Sequence, residues 1–130
     1  MISMKCKYGL KAIMNIARKN DYVHILTVSE EEHIPHKFLQ GILVELKNNG
    51  LLLSKKGKDG GYKLNKPTNE ITFGEVIRIL DGPIAPIRCA SERFYERCEE
   101  CEDEETCSIR IVMKAVRDKT ANIFDNATIV

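Results

Sequence analysis

The sequence predicts a mainly α chain with a small β hairpin, arranged as a winged helix-turn-helix plus a long C-terminal dimerisation helix. Three observations predict it. Apolar residues recur at i, i+3, i+4 and i+7 in separate stretches, the stripe of an amphipathic helix. Two strand-like runs flank Gly57-Lys58-Asp59-Gly60, and an Asp-Gly pair between such runs is a hairpin signal. A last apolar stripe, about four turns long, follows an aperiodic cysteine-rich stretch and needs a partner surface.

The first helix spans about Ser3 to Arg18, with Leu10, Ile13, Met14 and Ala17 on one face. A short second helix is expected from Ile25 to Glu32, with Ile25, Leu26 and Val28 inward and Glu30, Glu31 and Glu32 outward. His33-Ile34-Pro35 breaks it, and Pro35 suits the first turn of the next helix. There Leu39, Ile42, Leu43 and Leu46 repeat the stripe until Asn49-Gly50 supplies a left-handed stop. Leu51 to Lys56 and Gly61 to Leu64 then form the hairpin. Thr72 and Glu75 make a capping box for a helix that buries Val76, Ile77 and Leu80 and ends at Asp81-Gly82-Pro83. From Pro83 to Thr106 two prolines, eight acidic residues and no periodicity predict a loop without packing of its own. Ile109, Val112, Met113, Val116, Thr120 and Ile123 mark the final helix, for which a second copy of the chain is the simplest partner. The organisation is therefore 1–82 for the winged helix, 83–106 for the cysteine loop and 107–130 for the dimerisation helix and tail.

A formal charge of +1 hides an asymmetry. Residues 1–80 carry 13 Lys or Arg against 8 Asp or Glu, whereas residues 81–130 carry 7 against 11. The excess lies in Lys37, Lys47, Lys55, Lys56, Lys58, Lys63 and Lys66, facing Glu45 and Asp59. Such a stripe is either a solvated lysine-rich surface or the footprint of double-stranded DNA. The hairpin favours DNA: a helix fits the major groove, and a lysine-bearing tip suits the minor groove or the phosphates. His36, Lys37 and Gln40 lie in the first turn of the third helix, opposite Leu39 and Ile42. Gln40 can pair with adenine, and Lys37 can reach guanine or a phosphate. With Lys47 and the wing residues Lys55, Lys56, Lys58 and Lys63 they form the candidate DNA-binding set. Tyr62 is expected to pack between wing and helices.

No run of about 20 apolar residues is present, so no membrane partner is expected. The N-terminus lacks a signal-peptide pattern, and a cytoplasmic location is the expectation. No nucleophile and base, and no carboxylate pair, stands in a recognisable arrangement, so an enzyme is not expected. Five cysteines in such a compartment argue for metal or redox chemistry over disulfides. Cys89, Cys98, Cys101 and Cys107 follow the spacing C-x8-C-x2-C-x5-C, while Cys6 stands apart as a small buried side chain. Soft thiolates on a wrapping loop suit an iron–sulfur cluster, 2Fe-2S or 4Fe-4S, or zinc. Structural zinc usually shows two C-x2-C pairs or a Cys/His set, and no histidine follows His36, so iron–sulfur leads. Zinc, thiol–disulfide switching with no metal, or a protein-binding adaptor of cysteine metabolism or electron transfer are the alternatives.

Across nearly the whole chain these residues resemble the Rrf2 family of winged-helix regulators, whose members sense iron–sulfur status, nitric oxide or cysteine metabolism. The resemblance rests on Lys5 to Leu10, on Lys37 to Leu43, on Leu46 with Asn49-Gly50-Leu51, on Ser54 to Gly57, on Gly60 to Leu64, on Asp81-Gly82-Pro83 and on the cysteine loop. It implies a homodimer through the last helix, a palindromic operator, and a cluster whose loss or modification alters DNA affinity. Phe38-Leu39-Gln40-Gly41 stands where many relatives have Tyr-Leu-Glu-Gln, so no operator sequence carries over. Lys56 replaces the usual wing arginine and lacks its planar fork. Relatives complete three cysteines with a histidine or a partner-chain carboxylate. Arg110 occupies the histidine position here, which leaves Cys98 as candidate fourth ligand and Cys6 as a remote second.

Overall fold

The computed structural model describes residues 2–86, 88–92, 95–99 and 102–130, with Arg88 described by its backbone alone. Helix α1 (Met4–Lys19) starts at Ser3, whose hydroxyl accepts from the Cys6 amide at 3.0 Å. Ser3 in turn donates its amide (2.8 Å) and its hydroxyl to Asp81, joining the start of α1 to the end of α4 (Phe73–Leu80). Helix α2 (Ile25–Glu32) and helix α3 (His36–Asn48) cross α1, and strands β1 (Leu52–Lys55) and β2 (Gly61–Leu64) pair antiparallel with Leu52 opposite Leu64. Helix α5 (Ser108–Asn126) closes the chain.

The core is the shared inner face of α1 to α4. Ile13, Ile16, Leu39, Ile42, Leu43, Leu46, Leu51 and Val76 are almost wholly removed from water. At about 1.5–3 kcal/mol per fully buried large aliphatic side chain, this face dominates the stability of the domain. Cys6 lies within it, as expected of a small buried side chain.

Several placements depart from the pattern read along the sequence. Leu26, expected inward, is 51% exposed, because an eight-residue helix buries a narrow stripe and Val28 occupies it. Glu31 and Glu32, expected to be solvated, brace α2 against α1. The buried Asn15 amide donates to Glu31 Oε1 at 3.0 Å and to Glu32 Oε2 at 2.8 Å, while Lys19 pairs with Glu31 and Arg18 with Glu32 at 3.3 Å. Hydrogen bonds from Lys19 and then Asn15 hold the Glu31 carboxyl below its ordinary range. The wing gains a one-residue third strand, since Val23 exchanges hydrogen bonds with Tyr62 at 2.8 and 2.9 Å. In the wing turn, positive φ falls at Gly57 (102°) and Gly61 (135°) rather than at the Asp59-Gly60 pair.

The tail after α5 turns back onto the domain. Phe73 donates to the Ala127 carbonyl at 2.8 Å, Ile129 donates to Ile71 at 3.1 Å, and the Ile129 side chain is buried in the core. Arg78 of α4 grips Asp125 of α5 with two hydrogen bonds of 2.6 and 3.0 Å. Gly74 makes the room: a Cβ there would stand 2.0 Å from Asp125 Oδ1. Among the described residues no helix is long and apolar enough to cross a membrane.

Candidate nucleic-acid interface and cysteine loop

The turn between α2 and α3 is held by three local devices. His33 leaves α2 with a left-handed φ of 56°, Ile34 inserts into the core, and the Ser29 hydroxyl donates to the Ile34 carbonyl at 2.6 Å. With Leu39, Ile42, Leu43 and Leu46 turned inward, α3 has one fixed rotation about its axis. His36, Lys37, Gln40 and Lys47 are consequently all exposed on its outer side. Val44 joins them at 41% exposure, an apolar side chain the basic pattern had not singled out and one suited to a thymine methyl. Phe38 packs edge-on against Tyr8, with ring centres 5.6 Å apart.

On the wing, Lys55, Lys56 and Lys58 are exposed and Lys63 is half-buried. Residues alternate as strand geometry demands. Leu52, Leu64 and Tyr62 pack toward the core, while Leu53, Lys55 and Lys63 share the outer face. Tyr62 therefore packs as expected. Lys66 leaves the basic stripe, because it pairs with Glu75 at 2.8 Å, and Glu45 is neutralised by Lys5 at 2.7 Å. Asp59 is then the one acidic residue of the stripe without a charged partner among the described residues.

The stretch after α4 was expected to lack packing of its own, and the structure corrects this. A 3-10 turn, Arg88–Ala90, lies against α5, with Cys89, Ala90 and Ser91 buried. Two arginines of α5 fasten it: Arg110 Nε donates to the Cys89 carbonyl at 3.0 Å and Arg117 donates to the Ala90 carbonyl at 2.6 Å. Glu104 is a second fastening, receiving the Tyr95 hydroxyl, Arg97 at 3.5 Å and Arg110 at 3.6 Å. That hydrogen bond to Glu104 raises the Tyr95 phenol above its ordinary value. Charge–charge pairing inside the loop thus supplies order that apolar content could not.

The candidate ligands sit differently. Cys89 is buried, Cys107 is half-buried at the N-cap of α5, and Cys98 is exposed; all three thiols are free of disulfides. Cys101 lies outside the described residues. No group of three or more potential metal-ligating side chains is gathered among the described residues. Cys6, the remote second candidate, faces the core with no exposed surface. Burial, aided by the neighbouring Asp81 carboxylate, pushes its thiol up to about 11, so it stays protonated and is a poor ligand. The contacts of Arg110 and Arg117 with the Cys89 and Ala90 carbonyls had no marker in the sequence, because a carbonyl acceptor carries no side-chain pattern.

A model of the Rrf2 family, described as "Iron-dependent Transcriptional regulator", matches residues 2–130. An rrf2-like HTH-type transcriptional regulator of Rhodobacter capsulatus is 37% identical over 134 residues, covering 99% of this chain and 89% of the relative. The HTH-type transcriptional regulator IscR of Pectobacterium atrosepticum is 27% identical, covering 98% and 76%. Among solved structures, CymR, the global cysteine regulator of B. subtilis, superposes with a TM-score of 0.81 at 28% identity, covering 99% of this chain and 92% of that one.

Proposed function

The chain belongs to the Rrf2 family of transcriptional regulators, and we propose that it binds a palindromic operator as a homodimer and reports on a cluster held by its cysteine loop. Its relatives are regulators of transcription and not enzymes. DNA binding follows from that family. The finer assignment of residues is carried by one observation: the single rotation of α3 that exposes His36, Lys37, Gln40 and Lys47 together on its outer side.

In this reading Gln40 meets a base edge, and Lys37, Lys47, Lys55, Lys56, Lys58 and Lys63 meet phosphates. Lys56→Ala should weaken binding to every duplex and reduce the salt slope by about one unit. Gln40→Ala should change the preference among duplexes by roughly 1–3 kcal/mol at the read base. Fluorescence anisotropy over a panel of duplexes at several salt concentrations checks both. Equal losses on every duplex for Gln40→Ala would remove it from base reading.

The homodimer reading rests on α5. Ile109, Val112, Val116 and Ile123 are 64%, 57%, 44% and 66% exposed in the single chain, far too much apolar surface to leave in water over five turns of helix. Sedimentation should give twice the 14.8 kDa chain mass, and Ile123→Glu should return the monomer. A wild-type monomer at micromolar concentration would overturn this.

The donor set fits an iron–sulfur cluster in kind: soft thiols, free of disulfides, on a loop whose first and last cysteines are both fastened to the start of α5. Cys89, Cys98, Cys101 and Cys107 would hold it. When bound, such a group supplies electron exchange and sensitivity to oxidants. The chain's own part is mechanical. Arg110 and Arg117 link the Cys89 turn to α5, so a change of loop shape is passed to the proposed dimer helix, and from its far end through Asp125 and Arg78 to α4.

A further inference from the structure

Tyr22 precedes the one-residue strand at Val23 and lies at the root of the wing. Val23 pairs with Tyr62, and its buried side chain shares the inner face of the sheet with Tyr62. Alternation along the chain places the neighbouring Tyr22 ring with the outer face. Two lysines reach it from different strands: Lys63 Nζ of β2 lies 5.8 Å from the ring centre, and Lys55 Nζ of β1 lies 5.7 Å from it. Lys55 has to cross β2 to do so, and the residue paired with it is Gly61, which has no side chain to block the way. Among the described residues neither ammonium has a carboxylate partner.

Each nitrogen is within cation–π reach of the same ring. Their charges are therefore gathered at one point on the outer face of the wing, with no carboxylate paired to either among the described residues. An anion with several oxygens is the chemistry that completes such a pair. We infer that Tyr22 is a positioning residue, and that it collects Lys55 and Lys63 into a site for one phosphodiester of the DNA backbone. The inference rests on the DNA-binding reading above and deepens it at a residue outside the candidate set. The ring holds two long side chains near their bound geometry, so less rotamer freedom is lost when the phosphate arrives.

The test uses the full chain, a 30-base-pair duplex of arbitrary sequence, and two probes. In solution NMR the ε-methylene protons of Lys55 and Lys63 should be shifted upfield by the ring in wild type and Tyr22→Phe, and should return to ordinary values in Tyr22→Leu. In anisotropy titrations Tyr22→Phe should bind within about twofold of wild type and Tyr22→Leu about fivefold more weakly, with an unchanged salt slope because both lysines remain. In a Lys55→Gln, Lys63→Gln background the slope should fall by about one unit, because one phosphate is no longer neutralised, and Tyr22→Leu should cost nothing further. Unshifted lysines, Tyr22→Leu binding like wild type, Tyr22→Phe as weak as Tyr22→Leu, or an undiminished Tyr22→Leu loss in the double-glutamine background each overturns the inference. Wild-type binding without salt dependence overturns the DNA reading and the phosphate site with it. Shifted lysines combined with unaltered Tyr22→Leu affinity overturn the phosphate site alone.

Discussion

A serine at Cys107 should strip the anaerobically purified chain of at least nine-tenths of its iron and sulfide, together with the visible absorbance between 300 and 600 nm that marks thiolate-ligated clusters (~tenfold or greater loss). Cys107 is the informative position because of where it sits. It is the N-cap of α5 and makes no side-chain cap hydrogen bond, whereas serine is among the preferred N-cap residues. The substitution keeps the size of the side chain and favours the helix, by about 0.5–1 kcal/mol in the chain without metal. Loss of iron in a variant that unfolds no earlier than wild type therefore reports on ligation and not on folding. The same change at Cys89 mixes the two effects, since that thiol is buried against α5. Wild-type iron and sulfide content in Cys107→Ser would remove this residue from the ligand set, and zinc in place of iron in the wild type would replace the cluster reading.

Gly61→Ala should destabilise the chain by about 2–6 kcal/mol and reduce affinity for any duplex about tenfold or more. Two causes add. Gly61 has φ of 135°, a region that non-glycine residues occupy at a cost of about 1–3 kcal/mol. A Cβ there would also stand 2.2 Å from the Val23 carbonyl oxygen, so the Val23–Tyr62 pairing must open and surrender two hydrogen bonds worth about 0.5–1.5 kcal/mol each. Opening that pairing detaches the wing from the segment that carries Tyr22. Urea unfolding measures the first effect and anisotropy the second. An unfolding midpoint equal to wild type would mean that the wing backbone tolerates a side chain at this position and that the steric argument is wrong.

These outcomes depend on features of different visibility. The stripes of α1, α3 and α4 were legible because burial on one face imposes a period on the sequence, and the wing because turn glycines between two strand-like runs mark a hairpin. The rotation of α3, and with it the exposure of His36, Lys37, Gln40 and Lys47, follows from the same period. The short α2 was legible as an element but not in its contacts: Leu26 faces out, and Glu31 and Glu32 meet Asn15, Arg18 and Lys19 of α1. Eight residues are too few for a stripe to decide between a wet face and a bracing one.

Local order along the chain, and the chemistry of its side chains, were determined by the sequence alone: the winged helix-turn-helix, the basic outer face and the thiol-rich loop. Tertiary structure alone decided which of those groups meet. The Tyr22 ring finds Lys55 and Lys63 through a one-residue strand at Val23, Arg110 and Arg117 find backbone carbonyls in the cysteine loop, Lys66 is taken by Glu75, and Ile129 returns to a core begun at Cys6. The physical reason is the same in each case. Periodicity records which side of an element is dry, whereas pairs distant in sequence are made by chain crossings and by main-chain acceptors, which leave no repeating mark on the residues that use them.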